Sequence, residues 1–198
     1  ELVNVLHNKG FLRQDKRNNL VLIWNNQGEI CGNSEKGTIK DSTWRKIEPG
    51  SDNFVGFNVR NGEPKRLKFF ESSVDLMSYM TLNKSDLQDT WFVSMEGLKP
   101  ETVYYYLEES QRVAPSGVEE ISFCVDNDNS GKEFLERFKK FTYNQKEKQP
   151  IEFQAEFPQA PVGQETQKWD WNNELVYQVN EGENQRKKSL ESEPALSL

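Results

Sequence analysis

The chain is poor in the residues that most often carry metal and acid–base chemistry. Its 198 residues include one histidine, His7, which excludes multi-histidine metal centres and leaves no basis for a histidine-dependent triad. Cysteine is equally scarce. Cys31 and Cys124 are far apart, each in a strand-like context, so neither a disulfide framework nor a zinc site is indicated and a reducing cytoplasm is the natural setting. Long apolar runs are missing too: residues 20–24 and 121–125 are strand-length, far from the ~20 residues needed to cross a bilayer, so no membrane span is expected. No secretory leader is expected, and a chain opening on Glu1 without Met reads as a piece of a longer protein. Whatever chemistry occurs must run on carboxylates.

What is present is enough to fold. Five Trp, twelve Phe and six Tyr supply large apolar side chains, and the length fits one domain with a small appendage that buries roughly 70% of its unfolded surface. The net charge of -7 argues against a general nucleic-acid coat, but the average hides an asymmetry. Residues 1–68 hold 12 Lys and Arg against 8 Asp and Glu, whereas residues 69–198 hold 13 against 24. A basic front beside an acidic section can hold a polyanion against a carboxylate site; two solvated surfaces would show the same charges.

The front section, residues 1–64, starts with a short helical pattern at Leu2, Val3, Val5 and Leu6. Two β-prone runs, 19–24 and 29–33, flank Asn25-Asn26-Gln27-Gly28 and predict a hairpin. Residues 44–47 and 53–59 predict further strands of a small antiparallel sheet. From residue 65 the pattern alternates. Strands are predicted over 66–70, 90–95 and 120–125, and helices over 73–80, 100–111 and 132–141, with a fourth strand over 151–157. That alternation implies an α/β fold, a parallel sheet covered by helices over residues 65–179. Residues 180–198, rich in Glu, Asn, Gln, Lys and Ser without periodicity, read as a mobile tail.

In such a sheet ligands sit beyond the carboxyl ends of the strands. Glu71 ends the first of these strands, and Asp126 and Asp128 end the third. Asp-x-Asp spacing sends both side chains of an extended segment to one side, with Gly131 freeing the backbone to turn into the next helix. Hard oxygen ligands of this kind suit Mg²⁺ or Mn²⁺. Each piece also has a plain reading: Asp-Asn-Asp-Asn-Ser-Gly is good turn and capping chemistry, and Glu71 alone is a favourable helix-start residue. An EF-hand is excluded because Arg137 stands where the closing Glu belongs. Candidate phosphate contacts are Arg13, Lys16 and Arg17, then Arg60, Lys65 and Arg66, with Lys132 after the Asp-x-Asp turn.

Phe69-Phe70-Glu71-Ser72-Ser73-Val74-Asp75-Leu76-Met77-Ser78 resembles the glutamate motif of Toprim domains. Ile121-Ser122-Phe123-Cys124-Val125-Asp126-Asn127-Asp128-Asn129-Ser130-Gly131 resembles their Asp-x-Asp motif, and Val93-Ser94-Met95-Glu96-Gly97 the strand between, which ends in a turn at Gly97. Lys168-Trp169-Asp170-Trp171-Asn172-Asn173-Glu174-Leu175 looks like the closing motif of the Toprim variant in primase-like and mobilisation-associated proteins of Gram-positive plasmids and integrative elements, interrupted by Trp169. The front section resembles the segment that precedes Toprim there.

The resemblance implies a Toprim-type sheet after a small β-rich subdomain, and a metal-dependent protein of mobile-element DNA replication or transfer. Primase-like nucleotidyl chemistry, phosphodiester cleavage, and a non-catalytic nucleic-acid-binding or scaffolding module are all compatible with it. It implies Glu71, Asp126 and Asp128 as catalytic residues, with Glu71 as general acid/base or a metal ligand through water. It implies Mg²⁺ or Mn²⁺ as cofactor, held by Asp126 and Asp128 with Glu71, and with Asp170 and Asp75 as outer members. It also implies single-stranded DNA and the remaining domains of the parent protein as partners. Many Toprim domains place Gly after the glutamate; Ser72 stands here. The tyrosines read as packing or surface aromatics, and Trp169 and Trp171 as packing anchors, with base stacking the alternative.

Overall fold

The computed structural model describes residues 1–39, 44–146, 148–163 and 168–192, with side chains as far as 186. Its elements run α1 (Leu2–Asn8), β1 (Leu12–Gln14), β2 (Leu20–Asn26), β3 (Glu29–Lys36), β4 (Arg45–Ile47), β5 (Asn58–Asn61), β6 (Arg66–Phe70), α2 (Ser73–Leu82), β7 (Thr90–Ser94), α3 (Pro100–Val113), β8 (Glu120–Cys124), α4 (Asn129–Phe138), β9 (Thr142–Tyr143), β10 (Ile151–Ala155) and α5 (Trp171–Ser192).

The front strands form an antiparallel sheet in the order β1-β2-β3-β4. Its hairpin is longer than the apolar runs suggest, because β3 continues through polar residues to Lys36. The second sheet runs β5-β7-β6-β8-β10-β9. Its centre is parallel, as the alternating pattern requires, but β5 and β9 pair antiparallel at the two edges. The sheet is therefore mixed. Of the run at 53–59, expected in the front sheet, only Asn58 and Val59 are strand, and they open β5 of the second sheet, where Asn58 pairs with Val93.

Central strands are buried on both faces, so they read as apolar runs. On one face Phe123 meets Phe134 and Phe138 of α4, and Trp91 meets Tyr106 of α3. On the other, Phe70 and Phe92 pack on Tyr79 of α2, which in turn meets Trp171 of α5 edge-on at 4.8 Å. Leu6, Leu22, Trp24 and Phe57 carry the same core into the front sheet.

Helices α2 and α3 each run two residues past the sequence pattern, and α4 ends at Phe138 rather than at Phe141; two other boundaries differ for clear physical reasons. Helix α4 begins at Asn129, because Asp128 caps it by accepting from the Gly131 amide at 2.9 Å. The tail read from residue 180 is helical as far as Ser192. Glu, Gln, Arg and Lys are good helix formers, so a helix can extend here without an apolar stripe. Residues 193–198 lie outside the described residues.

Candidate active site

The register of the central sheet sets the site. Phe70 pairs with Ser94 on one side and with Cys124 on the other, which brings Glu71, Glu96 and Asp126 to one carboxyl edge. The chain leaves β6 for β7 on one side, then crosses to β8 on the other. Glu71 and Asp126 therefore flank the point where strand order reverses, the usual place for a ligand crevice in such sheets.

A cleft of about 470 Å³ opens there between the two sheets. Glu71, Ser72, Ser73, Asp75, Glu96, Gly97, Asp126, Lys168 and Asp170 form its floor, and Leu22, Ser34, Glu35, Lys36, Arg45, Lys46 and Ile47 of the front sheet line the facing wall. Acidic floor and basic wall are the charge asymmetry of the sequence brought face to face.

Asp126 is only 3% exposed. Its Oδ2 receives the Lys168 ammonium at 2.7 Å, and that ammonium lies 3.6 Å from Asp128 Oδ2. Asp126 Oδ1 and Glu71 Oε2 are buried with no hydrogen-bond partner among the other described residues, and the two side chains lie close enough to interact with each other. Burial, followed by the neighbouring Asp126 carboxylate, pushes Glu71 up to about 7. Burial also raises Asp126, against the pull of Lys168. Two orphaned carboxylate oxygens in one crevice, both hard donors, fit a small divalent cation. The fit is open: among the described residues no three carboxylates close around one point as a finished ligand cage.

The remaining acidic candidates have structural duties. Asp128 caps α4. Asp170 accepts from the Asn173 amide at 2.7 Å in the first turn of α5. Asp75 receives the Ser72 hydroxyl at 2.5 Å and the Asn172 amide at 3.4 Å, and burial still raises it to about 7.

Ser72 has φ -134 and ψ 159 and caps α2, so this backbone does not call for glycine after Glu71. The special conformation falls on β7 instead, where Glu96 has φ 51 and Gly97 φ 112. Gly131 serves differently from its sequence reading. A Cβ there would lie 2.4 Å from the Asp126 carbonyl oxygen, so the need is for space rather than for a turn. Trp169 and Trp171 are packing anchors: their indoles donate to Glu174 and to the Cys124 carbonyl, each at 3.0 Å.

Of the candidate phosphate contacts, none is among the cleft residues. Arg66 grips both Asp86 carboxylate oxygens at 2.8 Å, and Lys65 lies 3.6 Å from Glu119, both at the opposite end of the strands. Arg60 stacks over Trp91 in a separate cleft, and Lys132 belongs to a shallow groove on α4. Arg13 and Lys16 are exposed on the front sheet. Arg17 comes near the wall, because its charge is felt at Lys46.

Sequence reasoning did not single out Lys168, Glu96 or the wall residues Lys36, Arg45 and Lys46. Glu96 was within reach, since it closes a strand as Glu71 does. Its buried carboxyl accepts from Ser73 and from Ser94, the latter at 2.9 Å, and burial raises it. Lys168 stood in a quoted motif, but an ion pair across 42 residues leaves no local signal.

A mixed sheet with a parallel centre, switch-point carboxylates and a β-rich preceding unit define a protein of the Toprim class. Residues 69–175 match the Toprim-like family model, and the chain belongs to that family. Residues 1–64 match a family described as "Protein of unknown function (DUF3991)". An uncharacterised Bacillus anthracis protein of plasmid pXO2, designated pXO2-78, is 44% identical over 182 residues, covering 88% of this chain and 52% of the relative. The chain thus spans about half the length of that relative.

Among solved structures, the primase fragment of the bacteriophage T7 primase-helicase protein superposes with TM-score 0.56 at 14% identity, over 92% of this chain and 69% of that one. A second match is to the primase domains in a bacteriophage T7 lagging-strand DNA polymerase complex with an RNA/DNA hybrid and dTTP. It has TM-score 0.53 at 13% identity and covers 92% and 84%. At these identities the likeness is one of fold.

Proposed function

We propose that the parent protein is a primase-like, metal-dependent enzyme acting on nucleotides or nucleic-acid phosphates, and that this chain is its Toprim module with the preceding basic subdomain. The observation that carries the reading is the pair of unpartnered carboxylate oxygens, Glu71 Oε2 and Asp126 Oδ1, at the switch point of a primase-like fold. Glu71, Asp126 and Asp128 would hold Mg²⁺ or Mn²⁺, with Asp170 and Asp75 beside them. When bound, the cation supplies charge neutralisation and alignment for a phosphate group.

The chain's own residues do the rest. With no cation bound, burial and then Asp126 raise Glu71 to about 7; Glu71 would serve either as general acid/base at a hydroxyl or water or as a metal ligand through water. Lys36, Arg45 and Lys46 on the facing wall suit the phosphates of a single strand or a nucleoside triphosphate. The bound RNA/DNA hybrid and dTTP of one structural neighbour agree with that substrate class. The pXO2 relative and the absence, among the described residues, of a helix able to cross a membrane agree with a cytoplasmic role in replication or transfer of a mobile element.

The test is Glu71→Gln in the full-length protein with Mn²⁺ or Mg²⁺. Primer synthesis that disappears while single-stranded DNA affinity stays nearly intact supports the reading. Cleavage lost in the same way identifies a nuclease built on the same carboxylates. Binding with neither activity, indifferent to Glu71, identifies a scaffold and overturns the enzyme reading.

A further inference from the structure

We propose that Lys168 is the internal counter-ion of the Asp126 and Asp128 pair, a tethered cation that competes with the divalent metal for those carboxylates and is released when the metal binds. The inference rests on the reading above that the site takes Mg²⁺ or Mn²⁺.

A carboxylate as enclosed as Asp126, 3% exposed, is costly to leave without a partner. Lys168 meets that need on one side only. Its Nζ contacts Asp126 Oδ2 at 2.7 Å and approaches Asp128 Oδ2 at 3.6 Å, while Asp126 Oδ1 and the neighbouring Glu71 Oε2 receive no donor from the other described residues. A single ammonium therefore covers part of a site whose donors suit a hard, doubly charged ion.

The lysine is anchored at its root and free along its stem. The carbonyl of the next residue, Trp169, accepts from the Asn127 amide at 2.9 Å, which ties the Lys168 backbone to the Asp-x-Asp loop. Trp169 is itself fixed by burial and by its indole bond to Glu174. The Lys168 side chain, by contrast, is 55% exposed, and a four-carbon stem with a compact ammonium reorients easily. Tethering keeps the ammonium at high local concentration, so a metal arriving alone must displace it. Once displaced, the ammonium remains in the cleft with Lys36, Arg45 and Lys46, placed to meet a substrate phosphate. Lys168 would thus keep metal occupancy weak until an anion arrives.

Mn²⁺ titration calorimetry on the whole chain tests this with Lys168→Met and Lys168→Arg. Removing the ammonium should tighten Mn²⁺ by about tenfold or more at low salt, and less at high salt, whereas Lys168→Arg should stay close to wild type. A structural role for Lys168 would leave Mn²⁺ affinity unchanged or weaken it in Lys168→Met, and either result overturns the proposal. An independent readout needs no variant: acetylation of Lys168 by a limiting amine reagent, followed by mass spectrometry, should rise on adding Mn²⁺. Acetylation indifferent to Mn²⁺ would overturn the proposal even if Lys168→Met failed to fold. If neither wild type nor Lys168→Met binds Mn²⁺, the metal reading itself fails and takes this inference with it. Equal binding by both removes the lysine inference alone.

Discussion

Gly131→Ala sets helix propensity against packing, and the two have opposite signs. Gly131 lies in the first turn of α4, where replacing an exposed glycine by alanine would gain about 1 kcal/mol. Here the new Cβ would sit 2.4 Å from the Asp126 carbonyl oxygen and 3.0 Å from Val125 Cγ2, against 3.4–4 Å for ordinary contact. The nearer obstacle is backbone, so no side-chain rotation relieves it. Overpacking of this kind costs about 1–3 kcal/mol. A backbone clash about 1 Å too close belongs in the upper half of that range, which leaves a net loss of about 1–2 kcal/mol after the propensity gain.

For a chain of this size, each kcal/mol lowers the melting temperature by about 2–4 °C, so a fall of about 2–8 °C is expected in a calorimetric or fluorescence melt. The same displacement moves the loop that carries Asp126, so Mn²⁺ affinity should fall with stability. A melting temperature raised by the substitution would refute the close approach of α4 to the end of β8, and with it the geometry of the acidic edge.

Three further outcomes follow from the same geometry. Asp126→Ala/Asp128→Ala should lose the Mn²⁺ heat seen in wild type by titration calorimetry; unchanged binding would remove these residues from the site. Lys36→Ala/Arg45→Ala should weaken single-stranded DNA binding and reduce its log–log salt slope by about 1.4, two phosphate contacts' worth, while Arg66→Ala, already committed to Asp86 as Lys46 is to Glu48, should leave the slope alone; a uniform effect would refute the facing-wall assignment. Lys68→Met should destabilise the fold by about 2–3 kcal/mol, a buried-pair loss discounted because Glu120 and Glu156 are one-third exposed. Burial raises Glu120, but Lys68 and Ser122 outweigh it and hold its carboxyl below the usual range, so this stabilisation is present at neutral pH and lost as pH falls through that lowered value. Urea melts of Lys68→Met and wild type should therefore converge in acid, and a pH-independent gap would contradict the ion-pair account.

The sequence showed the sheet well where burial forced a pattern. Strands β6, β7 and β8 are apolar runs because both faces are covered by helices, and their bounds lie within a residue of the pattern. The edges were harder. Strand β5 reads like any front-sheet strand, since its partner is a strand 30 residues later. Strands β1 and β9 have three and two residues, too few for any period to emerge. The core of α5 was hidden for the opposite reason: beyond Glu174 its residues are mostly exposed, and exposed helix carries no apolar stripe to read.

The site divides along the same line. Glu71 and Asp126 were legible because strand ends in a parallel sheet are where chemistry collects, a rule that needs only the strand boundaries. The cations were not, because their assignment depends on which surface each side chain reaches. Seven arginines and lysines on the basic front or beside the motifs were reasonable candidates, yet the strand direction sends Arg66 and Lys65 to the far end of the sheet from Glu71. The pairing of β3 with β4, Lys36 opposite Arg45 and Glu35 opposite Lys46, instead places the wall charges. Lys168 lies furthest from any local rule, since it meets Asp126 only after β10 and the following segment have brought the chain back across the sheet edge. A motif can therefore identify the carboxylates of such a site while leaving the ion that neutralises them to the tertiary fold, and Lys168→Met probes that part of the site.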